Sequence, residues 1–338
     1  IILKAGQEPH GDFGMLMKNL SFKLIKLLIM SYRSGHNFNI EHYKNVLNDN
    51  SYDFDLPQSY EDLTALFHEI LAKGIHGFCF SIYEDGQKPG VEISKSQVSR
   101  RMKILKPYSS WVRSFSCIEG NEFVPIVAKE EGMKTLVGAW LSDDLEMNEL
   151  EIESLINLAK NGKVDIAAVG NEVLYRNDLT LEQLLSYIRR VKEAIPNLPV
   201  GYVDAYYEFT VHPELADACD VILTNCYPFW EGCPFDYSLQ HMNSMYHQAL
   251  EAGKGKKVII TETGWPSQGQ SLRGAEPSRI SALKYFIHTH LWAQAKGIET
   301  FYFSSFDESW KTGPEGDVGA HWGIWDKNEK LKYDAFIS

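Results

Sequence analysis

Short apolar runs alternate with amphipathic helical stretches over most of this 338-residue chain, and few folds accommodate that pattern. The alternation repeats eight times between Tyr60 and Ser338. The apolar runs cover residues 74–83, 111–117, 135–141, 164–170, 198–207, 220–227, 257–262 and 300–306. Each run is nearly continuous in apolar residues, which is typical of parallel strands covered on both faces. The sequence therefore predicts an α/β protein with a (β/α)8 barrel.

The stretches between the runs have helical spacing. Residues 148–163 and 179–197 place apolar side chains at i, i+3 and i+4, with Asn148 and Thr180 as candidate helix caps. An open, doubly wound parallel sheet has the same element order and is the structural alternative. That fold commonly carries a G-x-G-x-x-G motif after its first strand, and no such motif follows residues 74–83.

The first 60 residues differ in texture from the rest. They are irregular and predict an N-terminal extension, whereas residues 61–338 predict the barrel domain. Residues 15–30 are apolar but are interrupted by three lysines, so they are too short and too charged for a transmembrane helix or a convincing signal peptide. A short amphipathic helix or a leader is expected there. The expectation is a soluble protein of the cytoplasm or periplasm, with compartment and oligomeric state left open.

The charge and the aromatic content of the chain limit the classes of ligand that it is expected to bind. The chain has 33 Lys and Arg against 45 Asp and Glu, and its net charge of -12 repels phosphate backbones, so nucleic acid is not an expected partner. It has 17 Tyr, 17 Phe and 8 Trp, and flat aromatic faces suit ligands that are apolar on one side and hydroxylated on the other. The five cysteines form no metal-binding or disulfide pattern. A sugar-like ligand is a reasonable first hypothesis.

Two glutamates end predicted strands. The fourth run ends in Val169-Gly170-Asn171-Glu172, and the seventh leads into Thr261-Glu262-Thr263-Gly264-Trp265-Pro266-Ser267. Active sites of (β/α)8 barrels lie at the carboxyl ends of the strands, so Glu172 and Glu262 are expected at one rim, from opposite sides of the axis. Hydrolysis of a glycosidic bond needs one carboxylic acid and one carboxylate on the two sides of the anomeric carbon. The pair therefore predicts a glycosidase.

These motifs resemble glycoside hydrolase family 17, the β-1,3-glucanases, and especially its bacterial and fungal branch. The resemblance rests on GNEV at 170–173 and ETGWPS at 262–267 and runs from about Gly74 to Tyr333. Further matching segments are GAWL at 138–141, NCYPFWEG at 225–232, FSSFDESWK at 303–311 and EGDVGAHWGIWD at 315–326. The resemblance implies a TIM barrel, a retaining mechanism, a β-1,3-glucan or laminari-oligosaccharide substrate, and no metal or organic cofactor.

The resemblance also implies roles for the two glutamates. Glu172 would be the general acid/base and Glu262 the nucleophile. An acid that works near neutral pH must hold its proton, so we expect burial and the charge of Glu262 to raise the pKa of Glu172. Asn171 is placed to offer its amide to a sugar 2-hydroxyl. Arg113 is expected to point into the barrel and to pair with Glu262, because a buried arginine needs a carboxylate partner.

Further candidates follow from the same resemblance. Glu308 and Lys311 match acidic and lysine positions near the catalytic pair, where Lys311 would help to keep Glu262 ionised. Tyr227 ends the family's Asn-x-Tyr-Pro pattern and is expected to hydrogen-bond near the nucleophile. The aromatic residues in or beside strand-end loops are expected to divide between stacking on glucose and ordinary packing; they are Tyr83, Trp140, Trp230, Trp310, Trp322 and Trp325.

Two departures from the family pattern affect specificity. Phe80 stands where many members carry a tyrosine. Plant members carry a glutamate where this chain has Gly319 and Ala320, so Glu315 or Asp317 would have to substitute for it.

The sequence leaves four functional hypotheses to compare. The preferred one is a retaining hydrolase of β-1,3-glucan that acts by double displacement. A β-1,3-glucanosyltransferase would need the same two glutamates. A catalytically silent glucan-binding barrel is disfavoured because both glutamates are present. A nucleotide-dependent enzyme is disfavoured because no glycine-rich phosphate loop is found.

Overall fold

The strands form a closed parallel barrel in the order β1 to β8, each paired with the next and β8 paired with β1. The computed structural model describes residues 36–43, 54–313 and 315–333. The strands are β1 Ile75–Cys79, β2 Ser109–Ser114, β3 Lys134–Ala139, β4 Ile166–Asn171, β5 Val200–Ala205, β6 Ile222–Asn225, β7 Val258–Thr263 and β8 Thr300–Tyr302. The predicted (β/α)8 barrel is confirmed, and the open sheet is excluded because the first and last strands are hydrogen-bonded.

Helices connect and cover the strands. Those described are α1 Ile40–Tyr43, α2 Tyr60–Lys73, α3 Lys95–Leu105, α4 Phe123–Glu130, α5 Leu145–Lys160, α6 Leu181–Ala194, α7 Glu208–Val211, α8 Pro213–Ala218, α9 Ser238–Ala252 and α10 Arg279–Lys296. Strands β4 and β7 are buried at every position, as expected between a filled barrel interior and a layer of helices. Their near-continuous apolar sequence has this cause.

One of the two predicted helix caps is confirmed. Thr180 caps α6 in a capping box with Gln183. The prediction for Asn148 is wrong, because Asp144 caps α5 by accepting hydrogen bonds from the backbone N–H groups of the first turn. Asn148 lies one turn further on, where its side chain holds both backbone groups of Ser142 at 2.8 Å.

The N-terminal region is described only in part. The backbone N–H of Phe38 donates to the carbonyl of Glu231 at 2.9 Å, and its ring lies 5.3 Å from His241 and 5.6 Å from Tyr237. The amphipathic helix or leader predicted over residues 15–30 lies outside the described residues. Among the residues that are described, no helix combines the length and apolar character needed to cross a bilayer.

The strand pairing is irregular at the carboxyl ends of three strand pairs. The register shifts between Ala168 and Asn171 in β4, between Thr224 and Asn225 in β6, and between Ile260 and Thr263 in β7. Such irregularities bend a strand and re-aim the side chains that follow. They occur at the carboxyl ends of the strands, where Asn171, Asn225 and Glu262 lie.

Candidate active site

Glu262 lies in β7 with three hydrogen-bond donors around its carboxylate. Arg113 Nη1 is 2.7 Å and Asn225 Nδ2 is 3.1 Å from Oε1, while the Tyr227 hydroxyl is 2.8 Å from Oε2. The side chain is almost fully removed from solvent. The carboxylate therefore makes three hydrogen bonds to side chains, and the one to the guanidinium is charge-assisted.

Glu172 immediately follows β4 and is half-buried at the same rim. Its Oε1 accepts a hydrogen bond from Asn225 Nδ2 at 2.9 Å. Desolvation raises the pKa of this carboxyl, and the negative charge of Glu262 raises it further, against smaller effects of Asn225, Arg176 and Arg113. The direction is the one predicted from the sequence. The two glutamates thus have the same side chain but different surroundings.

Asn225 fixes the separation of the two carboxyl groups. Its Nδ2 donates to both Oε1 atoms, so the distance between them cannot exceed 6.0 Å, the sum of 2.9 and 3.1 Å. If the bonds follow the two N–H directions of an amide, about 120° apart, the distance is roughly 5 Å. Retaining glycosidases hold their carboxyl groups about 5 to 5.5 Å apart, and inverting enzymes about 6.5 to 9.5 Å. The upper limit alone already lies below the inverting range.

The amide of Asn225 is itself oriented by a neighbour. Thr261 Oγ1 donates to its Oδ1 at 2.9 Å, so Nδ2 must face the glutamates. Sequence reasoning did not single out Asn225, although it opens the Asn-x-Tyr-Pro pattern that pointed to Tyr227. The pairing of β6 with β7 sets Asn225 beside Glu262, and the sequence alone does not show this register.

Arg113 joins the end of β7 to the end of β4. Its Nη2 donates to Asn171 Oδ1 at 2.7 Å while Nη1 holds Glu262. The predicted contact between Arg113 and Glu262 is present. Burial disfavours the charged guanidinium, but the charges and hydrogen bonds of Glu262 and Cys79 together outweigh it, and the net shift in the pKa of Arg113 is upward. Because Arg113 occupies the amide oxygen of Asn171, the Asn171 NH₂ group is turned away from the arginine.

Glu308 and Lys311 form a second charged pair beside the first. Lys311 Nζ lies 3.1 Å from Glu308 Oε2 and 4.2 Å from the centre of the Phe303 ring. Burial lowers the pKa of Lys311, but the charges of Glu308, Glu315 and Glu262 outweigh it and the net shift is upward. The sequence predicts that the positive charge of Lys311 helps to keep Glu262 ionised. Lys311 is bonded to Glu308 and reaches Glu262 only through its electrostatic field.

Of the two acids expected to substitute at the Gly319 position, Glu315 is the one that interacts with the site. Burial raises the pKa of its carboxyl to about 7, Lys311 opposes the shift, and the catalytic-pair carboxyls add to it. Asp317 instead accepts the backbone N–H of Gln270 at 3.0 Å. A side chain at Gly319 would bring its Cβ within 2.4 Å of the Lys311 carbonyl oxygen, so this backbone admits no glutamate there.

Two tryptophans present exposed faces. Trp140 and Trp230 are 39% and 38% exposed. The Arg176 guanidinium covers one face of Trp140 at 4.3 Å, and Trp322 packs beside Trp230 at 5.4 Å between ring centres. Trp140 follows β3, the neighbour of β4, and Trp230 follows β6, the neighbour of β7.

The other aromatic candidates are more buried. Tyr83 and Trp310 meet edge to face at 5.7 Å, and Asn121 Nδ2 lies 3.5 Å from the Tyr83 hydroxyl. Trp325 is buried against Phe78 and Phe306, so it is one of the candidates that pack in the core and do not stack on sugar.

Trp322 is buried in an aromatic cluster with Tyr227 and Phe303, beneath the exposed Trp230. Phe80 is also buried, and its backbone N–H donates to the Arg113 carbonyl at 2.9 Å.

The chain resembles proteins of known type. A family model of BtgE/BtgC glycoside hydrolase domains matches residues 77–323. The glucan 1,3-beta-glucosidase of Saccharomyces cerevisiae is 28% identical over 265 residues, which cover 71% of this chain and 85% of that protein. The glucan 1,3-beta-glucosidase BGL2 of Candida albicans is 30% identical over 258 residues, covering 69% and 83%. Among solved structures, an active-site mutant of the Rhizomucor miehei beta-1,3-glucanosyltransferase in complex with laminaritriose has a TM-score of 0.69 and 29% identity, covering 77% of this chain and 96% of that one.

Proposed function

The chain belongs to the BtgE/BtgC glycoside hydrolases of family 17, and on that premise we propose that it hydrolyses β-1,3-glucan by double displacement with retention of configuration. The observation that carries the proposal is the Asn225 amide, which bonds both carboxyl groups and keeps their Oε1 atoms within 6.0 Å of each other, closer than the carboxyl groups of inverting enzymes. The names of the relatives support β-1,3-linked glucose as the substrate. Residues 61–338 form the catalytic domain in this proposal.

In the first step, Glu262 attacks the anomeric carbon and Glu172 protonates the departing glycosidic oxygen. The bond between that oxygen and the anomeric carbon breaks as the ester bond to Glu262 forms. Oε1 of Glu262 accepts two hydrogen bonds and Oε2 accepts one, so Oε2 is the more available nucleophilic atom. Because Asn225 donates to Oε1 of Glu172, the proton to be transferred belongs on Oε2.

In the second step, Glu172 takes a proton from a water molecule, and the water oxygen displaces Glu262 from the anomeric carbon. Esterification removes the negative charge of Glu262, which had raised the pKa of Glu172. Glu172 then becomes more acidic and can act as a base. Arg113 and Tyr227 hold the departing carboxylate as its charge returns.

The residues around the pair bind the sugar chain in this proposal. Trp140 and Trp230 offer exposed aromatic faces for stacking, and Tyr83 with Trp310 forms a more buried wall. The Asn171 amide remains the candidate for the 2-hydroxyl of the reacting glucose. The substrate is neutral, so the net charge of -12 neither attracts nor repels it.

A second candidate is glucanosyl transfer, in which a sugar hydroxyl replaces water in the second step. The observation that favours it is the 29% identity to a β-1,3-glucanosyltransferase over nearly the whole of that protein. Both reactions use the same glutamates. Products longer than the starting laminari-oligosaccharide would identify transfer, whereas only shorter products would identify hydrolysis.

The proposal is tested by the reducing ends released from linear β-1,3-, mixed-linkage and β-1,4-glucans by the wild type and by Glu262→Gln. We expect activity on the β-1,3-glucan, little on the β-1,4-glucan, and a loss of at least about 10³-fold in the variant, because the covalent route is closed. Glu130→Gln is the matched control, since Glu130 pairs with Lys95 on the surface. Undiminished activity of Glu262→Gln would contradict the proposal, and a wild type that binds the glucan without releasing reducing ends would indicate a glucan-binding barrel.

A further inference from the structure

The turn that carries Glu172 has an unusual backbone. Gly170 has φ of +87°, and Glu172 itself has φ of +52°, a left-handed conformation that few residues other than glycine adopt. Such a conformation persists only where the surroundings hold it. Neighbouring groups that fix residues 170–175 therefore also fix the direction of the Glu172 side chain.

Tyr202 in β5 contacts this turn in two ways. Its hydroxyl accepts a hydrogen bond from the backbone N–H of Leu174 at 3.0 Å. Its ring lies so close to Gly170 that a Cβ there would be 3.4 Å from Cε2. Tyr202 is fully buried, so the two contacts are made without competition from water.

Asp204, two residues along β5, anchors Tyr202. The Tyr202 hydroxyl donates to Asp204 Oδ2, and the same oxygen lies 3.4 Å from the backbone nitrogen of Tyr175. Its other oxygen accepts the backbone N–H of Ala205 at 2.8 Å. Asp204 is fully buried and makes no hydrogen bond to Glu172 among the contacts of the described residues.

The backbone of β5 completes the hold. The N–H of Glu172 donates to the carbonyl of Val203 at 2.8 Å. On the opposite side, Arg176 Nη2 donates to the Leu141 carbonyl at 2.8 Å and ties the end of the turn to the segment after β3. The turn that carries Glu172 is therefore hydrogen-bonded to β5 on one side and to the segment after β3 on the other.

We propose that Tyr202 and Asp204 are positioning residues that aim Glu172 at the glycosidic oxygen by holding the backbone of its turn. The inference rests on the proposed function, because it assigns a task to residues that support the general acid. Neither side chain contacts the two Glu262 oxygens, so their removal should leave the nucleophile side intact.

The test compares two substrates that differ in their need for an acid. Cleavage of a laminari-oligosaccharide requires protonation of the leaving oxygen, whereas 2,4-dinitrophenyl β-laminaribioside loses a stable phenolate without it. We expect Tyr202→Phe to lower kcat/KM for the oligosaccharide at least about tenfold and to leave that for the aryl glycoside within about threefold of wild type. Asp204→Asn, which keeps the shape of the side chain, should give the same pattern.

The matched control lies at the start of β4, the strand that leads to Glu172. Asp165 directly precedes β4 and its carboxylate accepts the Thr135 N–H at 2.7 Å, so Asp165→Asn makes the same carboxylate-to-amide change away from the turn. We expect it to leave both kcat/KM values near wild type. Equal losses on both substrates in the Tyr202 and Asp204 variants, or no loss on either, would overturn the inference.

A further variant separates failure of the inference from failure of the proposed function. Glu172→Gln must show the same substrate dependence more strongly if Glu172 is the acid. If Glu172→Gln affects both substrates equally, the assignment of the acid is wrong. If it does not, but the Tyr202 and Asp204 variants do, only the positioning role is wrong.

Discussion

At the scale of single residues, Glu172 and Glu262 differ in their neighbours rather than in their chemistry. Glu262 faces a guanidinium, an amide and a phenol, whereas Glu172 faces one amide and the charge of Glu262. A raised pKa suits Glu172 as the proposed proton donor, and three hydrogen-bond donors suit Glu262 as the proposed nucleophile. The difference has consequences for stability as well as for catalysis.

We predict that Glu172→Gln raises the melting temperature at pH 7 while it abolishes hydrolysis. The folded pKa of Glu172 is raised above its unfolded value, so the native state binds the proton more tightly and loses stability as pH rises through that interval. The neutral amide avoids this loss. Thermal unfolding at several pH values checks it: the gain should vanish below about pH 4, where the carboxyl is protonated in both states. A variant less stable than wild type at pH 7 would contradict the prediction.

Asn225 yields a second residue-scale prediction. Asn225→Ala removes the donor shared by both glutamates, and we expect kcat to fall about 10²- to 10³-fold, as when one preorganised donor is lost. Its hydrogen bond lowers the pKa of Glu172, so the alkaline limb of the kcat/KM profile should move to higher pH. Rates measured across pH give both quantities. An unchanged profile with full activity would show that the bridge has no catalytic role.

The sequence identified most of this site through motifs, yet it missed the contacts that organise it. Glu172, Glu262 and Arg113 were found because strand ends and a buried arginine carry recognisable signals. Asn225 and Thr261 look like ordinary polar residues in apolar strands. Their importance arises from the register of β6 and β7, which a single sequence does not reveal.

At the scale of elements, a buried lysine and a buried aspartate join the loops after β7 and β8. Lys332 Nζ lies 2.7 Å from Asp307 Oδ1 and donates to Ser267 Oγ at 2.9 Å. Asp307 also accepts the backbone N–H of Gly323 at 2.8 Å. The segment after Glu262, the segment before Glu308 and the C-terminal part of the barrel domain therefore share one buried ion pair.

Close backbone packing of the same loops gives a prediction for Gly264. A Cβ at Gly264 would lie 2.1 Å from the carbonyl oxygen of Phe303, so Gly264→Ala must push β7 and β8 apart beside Glu262. We expect a loss of about 1 to 3 kcal/mol in the free energy of unfolding and a marked loss of activity.

Glu153→Ala, at an exposed position of α5, is the control, because it introduces alanine into a helix without adding bulk against a neighbouring backbone. Chemical denaturation and glucan hydrolysis measure the two effects. Similar behaviour of the two variants would show that the contact at Phe303 is unimportant.

Element boundaries were predicted less well than element order. The last apolar run was expected over 300–306, but β8 ends at Tyr302 because the chain turns there to carry Phe303 and the Glu308 segment around the rim. Apolar composition does not distinguish a strand from a buried loop. Likewise, Asn148 resembles a cap in sequence, but its side chain binds the loop before its helix.

At the scale of the whole molecule, the eightfold alternation was enough to predict the barrel. It fixes a parallel sheet, and the number of units allows the sheet to close. Closure then brings residues 90 positions apart in sequence, Glu172 and Glu262, to one amide. The long-range contacts among Arg113, Asn171 and Glu262 follow from that closure as well.

The most direct test of the proposed mechanism is the identity of the residue that becomes covalently bound to sugar. A 2-deoxy-2-fluoro-β-laminaribiosyl fluoride should accumulate as a glycosyl-enzyme, because the fluorine slows the second step and the fluoride leaves readily. Peptide mass spectrometry should then find one disaccharide, and it should be attached to Glu262. A label on Glu172 or Glu315, or turnover that yields inverted products without any label, would contradict the assignment.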